Sequence, residues 1–335
     1  MTAGRADGGA RTSALVLAGG GVTGIAWESG VLVGLAAAGI DFSAVDLILG
    51  TSAGAYVGAR LVADGSPDPL FGLETSGNDR EEEDGLRVLF GSGFVRAMRW
   101  SRLPWLGWLA PAWIATLIAT TLVRHAARHG LRATVGIVDT LALHRTSATP
   151  QAISAAMGAV ANLKRRHATA MIEHWEKTLG RDAPWPHAPL VVTAIDTADG
   201  SPILFDAASG VPFAAAVAAS SCLPALVAPI ELLGRRFMDG GIVSPANAAA
   251  ASSCEEIWII CPSSSASLDR EVDQLRRGDA IVQLVQPSAA ARRSMPGGMG
   301  ELDPTNRLAT ARSGVADGRA AASRERGPSA GAGTS

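Results

Sequence analysis

Gly50-Thr51-Ser52-Ala53-Gly54 has the form G-x-S-x-G. Between a strand and a helix, this pattern holds a serine hydroxyl at the apex of a sharp turn. Gly50 and Gly54 are required because the backbone approaches itself closely on either side of the serine. The helix that follows would aim its first N–H groups at the same point. A hydroxyl held this way suits nucleophilic attack on an acyl carbonyl. The bland alternative is an ordinary strand-to-helix turn.

Gly19-Gly20-Gly21-Val22-Thr23-Gly24 is a second glycine-rich turn between an apolar run and a helical one. It supports two readings. The loop can donate backbone N–H groups to the oxyanion of a tetrahedral intermediate. Alternatively, Gly19, Gly21 and Gly24 complete the dinucleotide fingerprint G-x-G-x-x-G. That fingerprint also needs an acid at the C-terminal end of the second strand. Here Asp46 precedes the apolar residues 47–49, and Gly50 stands at the end where the acid belongs. A phosphate-binding P-loop is excluded because the only lysines are Lys164 and Lys177.

A serine nucleophile needs a base. The six histidines are His125, His129, His144, His167, His174 and His187, and none follows the later strand-like runs. The best carboxylate candidate is Asp239, in Met238-Asp239-Gly240-Gly241. Read alone, Asp-Gly-Gly is a turn signal.

These residues must be positioned by larger elements. Residues 14–18 and 46–49 are short apolar runs suited to buried strands. Helical stretches follow at 22–38, ending at Gly39, and at 53–63, ending at Gly65. Residues 190–195, 203–205, 257–261 and 281–285 are further strand-like runs. Strands alternating with helices predict an α/β fold, a mostly parallel central sheet covered by helices on both faces. Residues 65–188 break this rhythm and read as a mostly helical cap insertion, with the acidic run 79–84 as a solvated loop and residues 151–179 as helical. The expected organisation is a disordered lead-in over 1–12, a single domain over 13–322 and a disordered tail over 323–335.

Composition agrees. Hydrophobic residues make up 47% of the 335, ample for a buried core. A net charge of −2 argues against a nucleic-acid partner. Cys222, Cys254 and Cys261 form no C-x-x-C pair, so they read as buried thiols rather than a disulfide frame or zinc site. No secretory signal is evident, which suggests a cytoplasmic location.

Together the glycine loop, the Ser52 turn and the Asp239-Gly240-Gly241 turn resemble the patatin-like phospholipase family. Residues 219–224 (Ala-Ser-Ser-Cys-Leu-Pro), Pro229-Ile230, residues 193–196 and Leu302-Asp303-Pro304 also resemble its text, so the likeness runs from about 14 to 322. The resemblance implies a patatin-like fold and a Ser–Asp dyad without histidine. Ser52 would be the nucleophile and Asp239 the general base, with oxyanion donors at Gly20, Gly21 and Ala53. Gly19, Gly24, Gly50, Gly54, Gly240 and Gly241 would be motif glycines. The substrate would be a phospholipid or other acyl-ester lipid, and neither cofactor nor metal is called for. Thr23 departs from the pattern, since the family often carries Arg or Lys there. That departure motivates one alternative, a weakly active or inactive lipid-binding protein; the dinucleotide-binding enzyme is the other.

One segment bears on the lipid. Leu103–Val123 holds 21 residues without a charge between Arg102 and Arg124, and includes Trp105, Trp108 and Trp113. A continuous helix of that length would approach the thickness of a bilayer core. Pro104 and Pro111 interrupt it. The expectation is therefore a surface that seats the enzyme peripherally on membrane, with a plain buried cap and a true span as alternatives.

Overall fold

The computed structural model describes residues 11–77, 79–90, 149–163, 168–295 and 297–325. Leu103–Val123, His125, His129, His144 and His167 lie outside the described residues.

The first strand, β1 (Ser13–Leu17), is apolar after its first residue and buried on both faces. It therefore needs parallel neighbours with helices above and below. β2 (Leu47–Gly50) runs parallel on one side and pairs in turn with β3 (Leu190–Asp196). Past β3 the sheet changes character. β4 (Pro202–Phe205) is antiparallel to β3, and a hairpin of β5 (Ile230–Leu232) and β6 (Arg235–Asp239) is antiparallel to it as well. On the other side of β1 lie β7 (Glu256–Ile260) and β8 (Ile281–Val285), both parallel. The path of hydrogen-bonded strands is β5-β6-β3-β2-β1-β7-β8, with β4 on the other edge of β3.

Alternate residues of β1 enter two cores, as strand geometry dictates. Leu15 and Leu17 face α1 (Gly21–Ala36), α2 (Ala53–Asp64) and α7 (Phe213–Ser220). Ala14 and Val16 face the other side, packed with α8 (Ala266–Arg277) through Leu268, Val272 and Leu275.

Two further helices complete the N-terminal half, α3 (Asp68–Thr75) and α4 (Asp79–Phe90). The acidic run is thus the first turns of α4 and not a loop. Acids are favoured at a helix N-terminus, and Arg87 closes on Glu83 and Asp84 one turn back. The stretch expected to be helical over 151–179 contains α5 (Pro150–Ala161) and α6 (Ala168–Leu179). α9 (Ala289–Ser294) and α10 (Arg307–Glu325) follow β8.

α10 lies along α1 with backbone against backbone. A β-carbon at Gly30 or Gly34 would fall 2.1 and 2.3 Å from carbonyl oxygens of α10. One at Gly314 or Gly318 would fall 2.3 and 2.2 Å from carbonyls of α1. Only glycine permits so close a crossing. Trp27 Nε1 donates to Asp317 Oδ2 at 2.9 Å across the same contact. Arg307, buried, grips Glu74 of α3 with two hydrogen bonds of 2.9 and 3.0 Å. All three cysteines are buried and unpaired, as expected. No helix among the described residues is long and apolar enough to cross a membrane.

Candidate active site

The Ser52 turn is strained. Ser52 has φ 51° and ψ −114°, a region a side-chain-bearing residue rarely adopts. The tightness is visible at its flanks. A β-carbon on Gly50 would fall 2.5 Å from Ala55 Cα, and one on Gly54 would fall 2.2 Å from Leu17 O. Serine at a helix N-cap normally turns its oxygen back onto the first turn. Here Ser52 makes no such capping bond, so its hydroxyl is left for another partner. Its own N–H donates to Ser220 Oγ at 2.8 Å, which ties the turn to α7.

The Ser52 side chain is close enough to Asp239 to lower its pKa. The sheet explains how two residues so far apart in sequence meet. On β3, Val192 pairs with both Gly50 of β2 and Phe205 of β4. Two residues on, Ala194 pairs with both Ile203 of β4 and Asp239 of β6. β2 and β6 therefore occupy the same edge of β3, opposite β4. They run toward each other, and their C-terminal ends abut beside Thr193. The antiparallel hairpin, which sequence reasoning did not resolve, is what brings the acid to the serine.

Asp239 is 3% exposed. Its Oδ1 accepts the N–H of Gly241 at 2.6 Å. Burial raises its pKa from 3.8 to about 6, against the lowering effect of the Gly241 N–H and the nearby Ser52 side chain, with the Glu301 carboxylate adding a smaller upward push. Such a carboxylate is a stronger base than an exposed one and is still ionised at neutral pH.

The glycine loop lies alongside. A β-carbon on Gly19 would sit 3.5 Å from Ser52 Cβ. Gly21 has φ +60° and would collide with Glu301 O if it bore a side chain. Gly20 is held against Pro262, and its carbonyl accepts the N–H of Gly24 at 2.8 Å. Gly19 N–H is used by Pro245 O at 2.8 Å. The N–H groups of Gly20, Gly21 and Ala53 head or precede their helices and have no acceptor among the described residues. Three donors without an acceptor among the described residues thus lie in the two turns that meet at Ser52, with the buried Asp239 nearby. This arrangement can accept a proton and stabilise a new oxyanion.

Two residues not assigned a role from sequence complete the frame. Asn247 adopts φ +51°, which Asn tolerates well. Its Nδ2 lies 3.1 Å from Thr51 Oγ1, 3.2 Å from Thr193 Oγ1 and 3.0 Å from Gly240 O. It therefore links the Ser52 turn, β3 and the Asp239 turn. Ser220 fell within the quoted 219–224 text, but only the fold reveals its partner. Thr23 is fully buried, and its hydroxyl donates to Glu301 O at 3.4 Å.

The rival readings find less support. Asp46 is bonded to Ser13 N–H at 2.7 Å, at the start of β1 and so at the opposite end of the strands from the glycine loop. It cannot serve a dinucleotide there. Neither His174 nor His187 bonds to Ser52 or Asp239, and His174 packs against Trp175 on α6. Among the described residues no group of three His, Cys, Asp or Glu side chains could hold a metal ion.

Known proteins bear on this geometry. VipD from Legionella pneumophila is similar at 12% identity and a TM-score of 0.41, covering 93% of this chain and 66% of VipD. The type III effector protein ExoU is similar at 17% identity and a TM-score of 0.37, covering 93% of this chain and 54% of ExoU. The chain thus spans about two thirds and about half of those two. No protein of curated function matches the sequence. The model of the family described as patatin-like phospholipase matches residues 15–252, from β1 through the glycine loop, the Ser52 turn and the Asp239 turn. The chain belongs to the patatin-like phospholipase family.

Proposed function

We propose that this protein hydrolyses acyl esters of lipids, of the phospholipase A or lysophospholipase type, through Ser52 and Asp239. The observation that carries the reading is the nearness of the Ser52 side chain, on its strained turn, to a buried Asp239 whose pKa is raised to about 6 by burial and lowered in part by Ser52. Asp239 takes the proton of Ser52 as Oγ attacks the ester carbonyl. The N–H groups of Gly20, Gly21 and Ala53 receive the charge that moves onto the carbonyl oxygen. Asp239 then returns its proton to the departing alcohol or lysolipid oxygen, leaving an acyl-serine. A water molecule, deprotonated by Asp239, attacks the acyl carbon. The Ser52 oxygen leaves and recovers the proton, and the fatty acid is released.

The test is labelling by a fluorophosphonate together with hydrolysis of a short p-nitrophenyl ester. Wild type should react in both assays, and Ser52→Ala and Asp239→Asn should lose hydrolysis while remaining folded. Activity retained in both variants would defeat the dyad. An unlabelled Ser52 in a chain that still binds liposomes would favour the alternative of a lipid-binding protein.

Contact with the lipid surface is proposed for Leu103–Val123, on its uncharged, Trp-containing sequence. Replacing Trp105, Trp108 and Trp113 together by Ala should reduce flotation with liposomes and leave hydrolysis of a soluble ester unchanged. Undiminished flotation would rule the segment out.

A further inference from the structure

Glu28 sits on α1 directly beneath the glycine loop and is wholly buried. Its Oε1 accepts the backbone N–H of Ala18 at 2.9 Å. Its Oε2 is buried with no hydrogen-bond partner. Burial raises its pKa well above the usual carboxyl range. The titratable group that senses it is the Cys261 thiol, itself pushed up to about 12 by burial. An apolar side chain would fill this space without the desolvation penalty of a carboxyl group. The acceptor therefore calls for an explanation.

Satisfying Ala18 is not a sufficient one, because the same N–H already donates to Ile260 O at 3.1 Å. What Glu28 adds is a brace. The bond joins the residue just before the glycine loop to a residue two turns into the helix just after it. It closes the loop from beneath. The other side of Ala18 points at the serine. Its carbonyl accepts the N–H of Gly54 at 3.0 Å, in the first turn of α2. Ala18 therefore joins the base of the glycine loop to the base of the Ser52 turn, and Glu28 holds Ala18. From the outer side, Pro262 presses on Gly20 and Gly24.

We propose that Glu28 is a positioning residue whose carboxyl group sets the glycine loop against Ser52, so that Gly20 and Gly21 aim their N–H groups at the developing oxyanion. The inference rests on the acyl-hydrolase reading above. It assigns Glu28 a role in kcat without any contact with substrate.

The experiment compares wild type with Glu28→Gln, Glu28→Asp and Glu28→Met on a short p-nitrophenyl ester, with Ser52→Ala as control. Gln keeps the length and the oxygen acceptor, so its kcat should stay within about 3-fold of wild type. Asp draws the acceptor back by one methylene and Met removes it. A misplacement of about 1 Å at a reacting centre can lower rates by about 100-fold. Both variants should therefore lose about 10- to 100-fold in kcat with KM nearly unchanged. Full kcat in a folded Asp or Met variant would overturn the proposal, as would a Gln variant as impaired as Met. If Met does not fold, Asp and Gln decide. Inactive wild type, or active Ser52→Ala, would instead defeat the acyl-hydrolase reading itself.

Discussion

Asp239 is placed where its charge is costly. Its pKa is raised from 3.8 to about 6, so the folded state binds a proton more tightly than the unfolded chain does. For a raised carboxyl, stability is greatest below the unfolded pKa and declines as pH climbs through the folded one. The window is therefore pH 4 to about 6, and the loss above it is about 3 kcal/mol by the usual conversion. Two outcomes follow. The kcat/KM of the wild type should fall as pH drops below about 6, because Asp239, the proposed base, becomes protonated. Asp239→Asn should unfold at higher urea than wild type at pH 8, by up to about 3 kcal/mol, with the advantage gone at pH 4. A variant that is inactive yet more stable would show directly that the site stores unfavourable charge. Ser52 and Asp239 could both be proposed from the sequence, because each sits in a glycine-flanked turn with a local signature. Glu28, Ser220 and Asn247 could not. Their significance lies in partners brought near only by the fold: Asn247 and Thr51, for example, are joined across 196 residues.

At the scale of elements, the parallel half of the sheet was readable from its apolar runs, and the antiparallel half was not. β5 is three residues long and β6 begins with two exposed arginines, so neither looks like a buried strand. The acidic start of α4 misled for a related reason, since polarity alone does not separate a solvated loop from a helix N-terminus. Asn247 is where three of these elements are fastened. Asn247→Ala would leave Gly240 O without its side-chain donor and force alanine into a left-handed backbone. The expected loss is about 2 to 4 kcal/mol in urea denaturation. Loss of activity should accompany it, because both turns lose the same fastening. The glycine crossing of α1 and α10 makes a second demand. Gly318→Ala would place a methyl group 2.2 Å from Val31 O, and a destabilisation of about 3 kcal/mol or more should be measurable by the same method.

The whole molecule extends beyond the region that carries the family signature. The matched residues end at 252, yet β7 lies beside β1 in the middle of the sheet and α10 covers α1. A chain ending at residue 252 would lose β7, β8 and α8, and with them a large part of the second core. It should show no cooperative urea transition. The buried Arg307–Glu74 pair is a smaller instance of the same dependence. Arg307→Met would remove both hydrogen bonds that Arg307 gives the buried Glu74 carboxylate and should cost about 3 kcal/mol or more. A melting temperature equal to wild type would contradict this.

The crossing of α1 and α10 also orders events in time. α1 begins at the glycine loop, and the residues that lock α1 in place come from helix Arg307–Glu325. Such a contact has high sequence separation and is among the slow ones to form. A chain still being synthesised carries Ser52 and Asp239 long before α10 exists. On the proposed mechanism, the Gly20 and Gly21 N–H groups would come into line only when α10 docks. Competence to cleave lipid would then emerge late, after the rest of the sheet has been made. In refolding, ester hydrolysis should return together with the burial of Trp27, which α10 covers, and not with the earlier recovery of secondary structure.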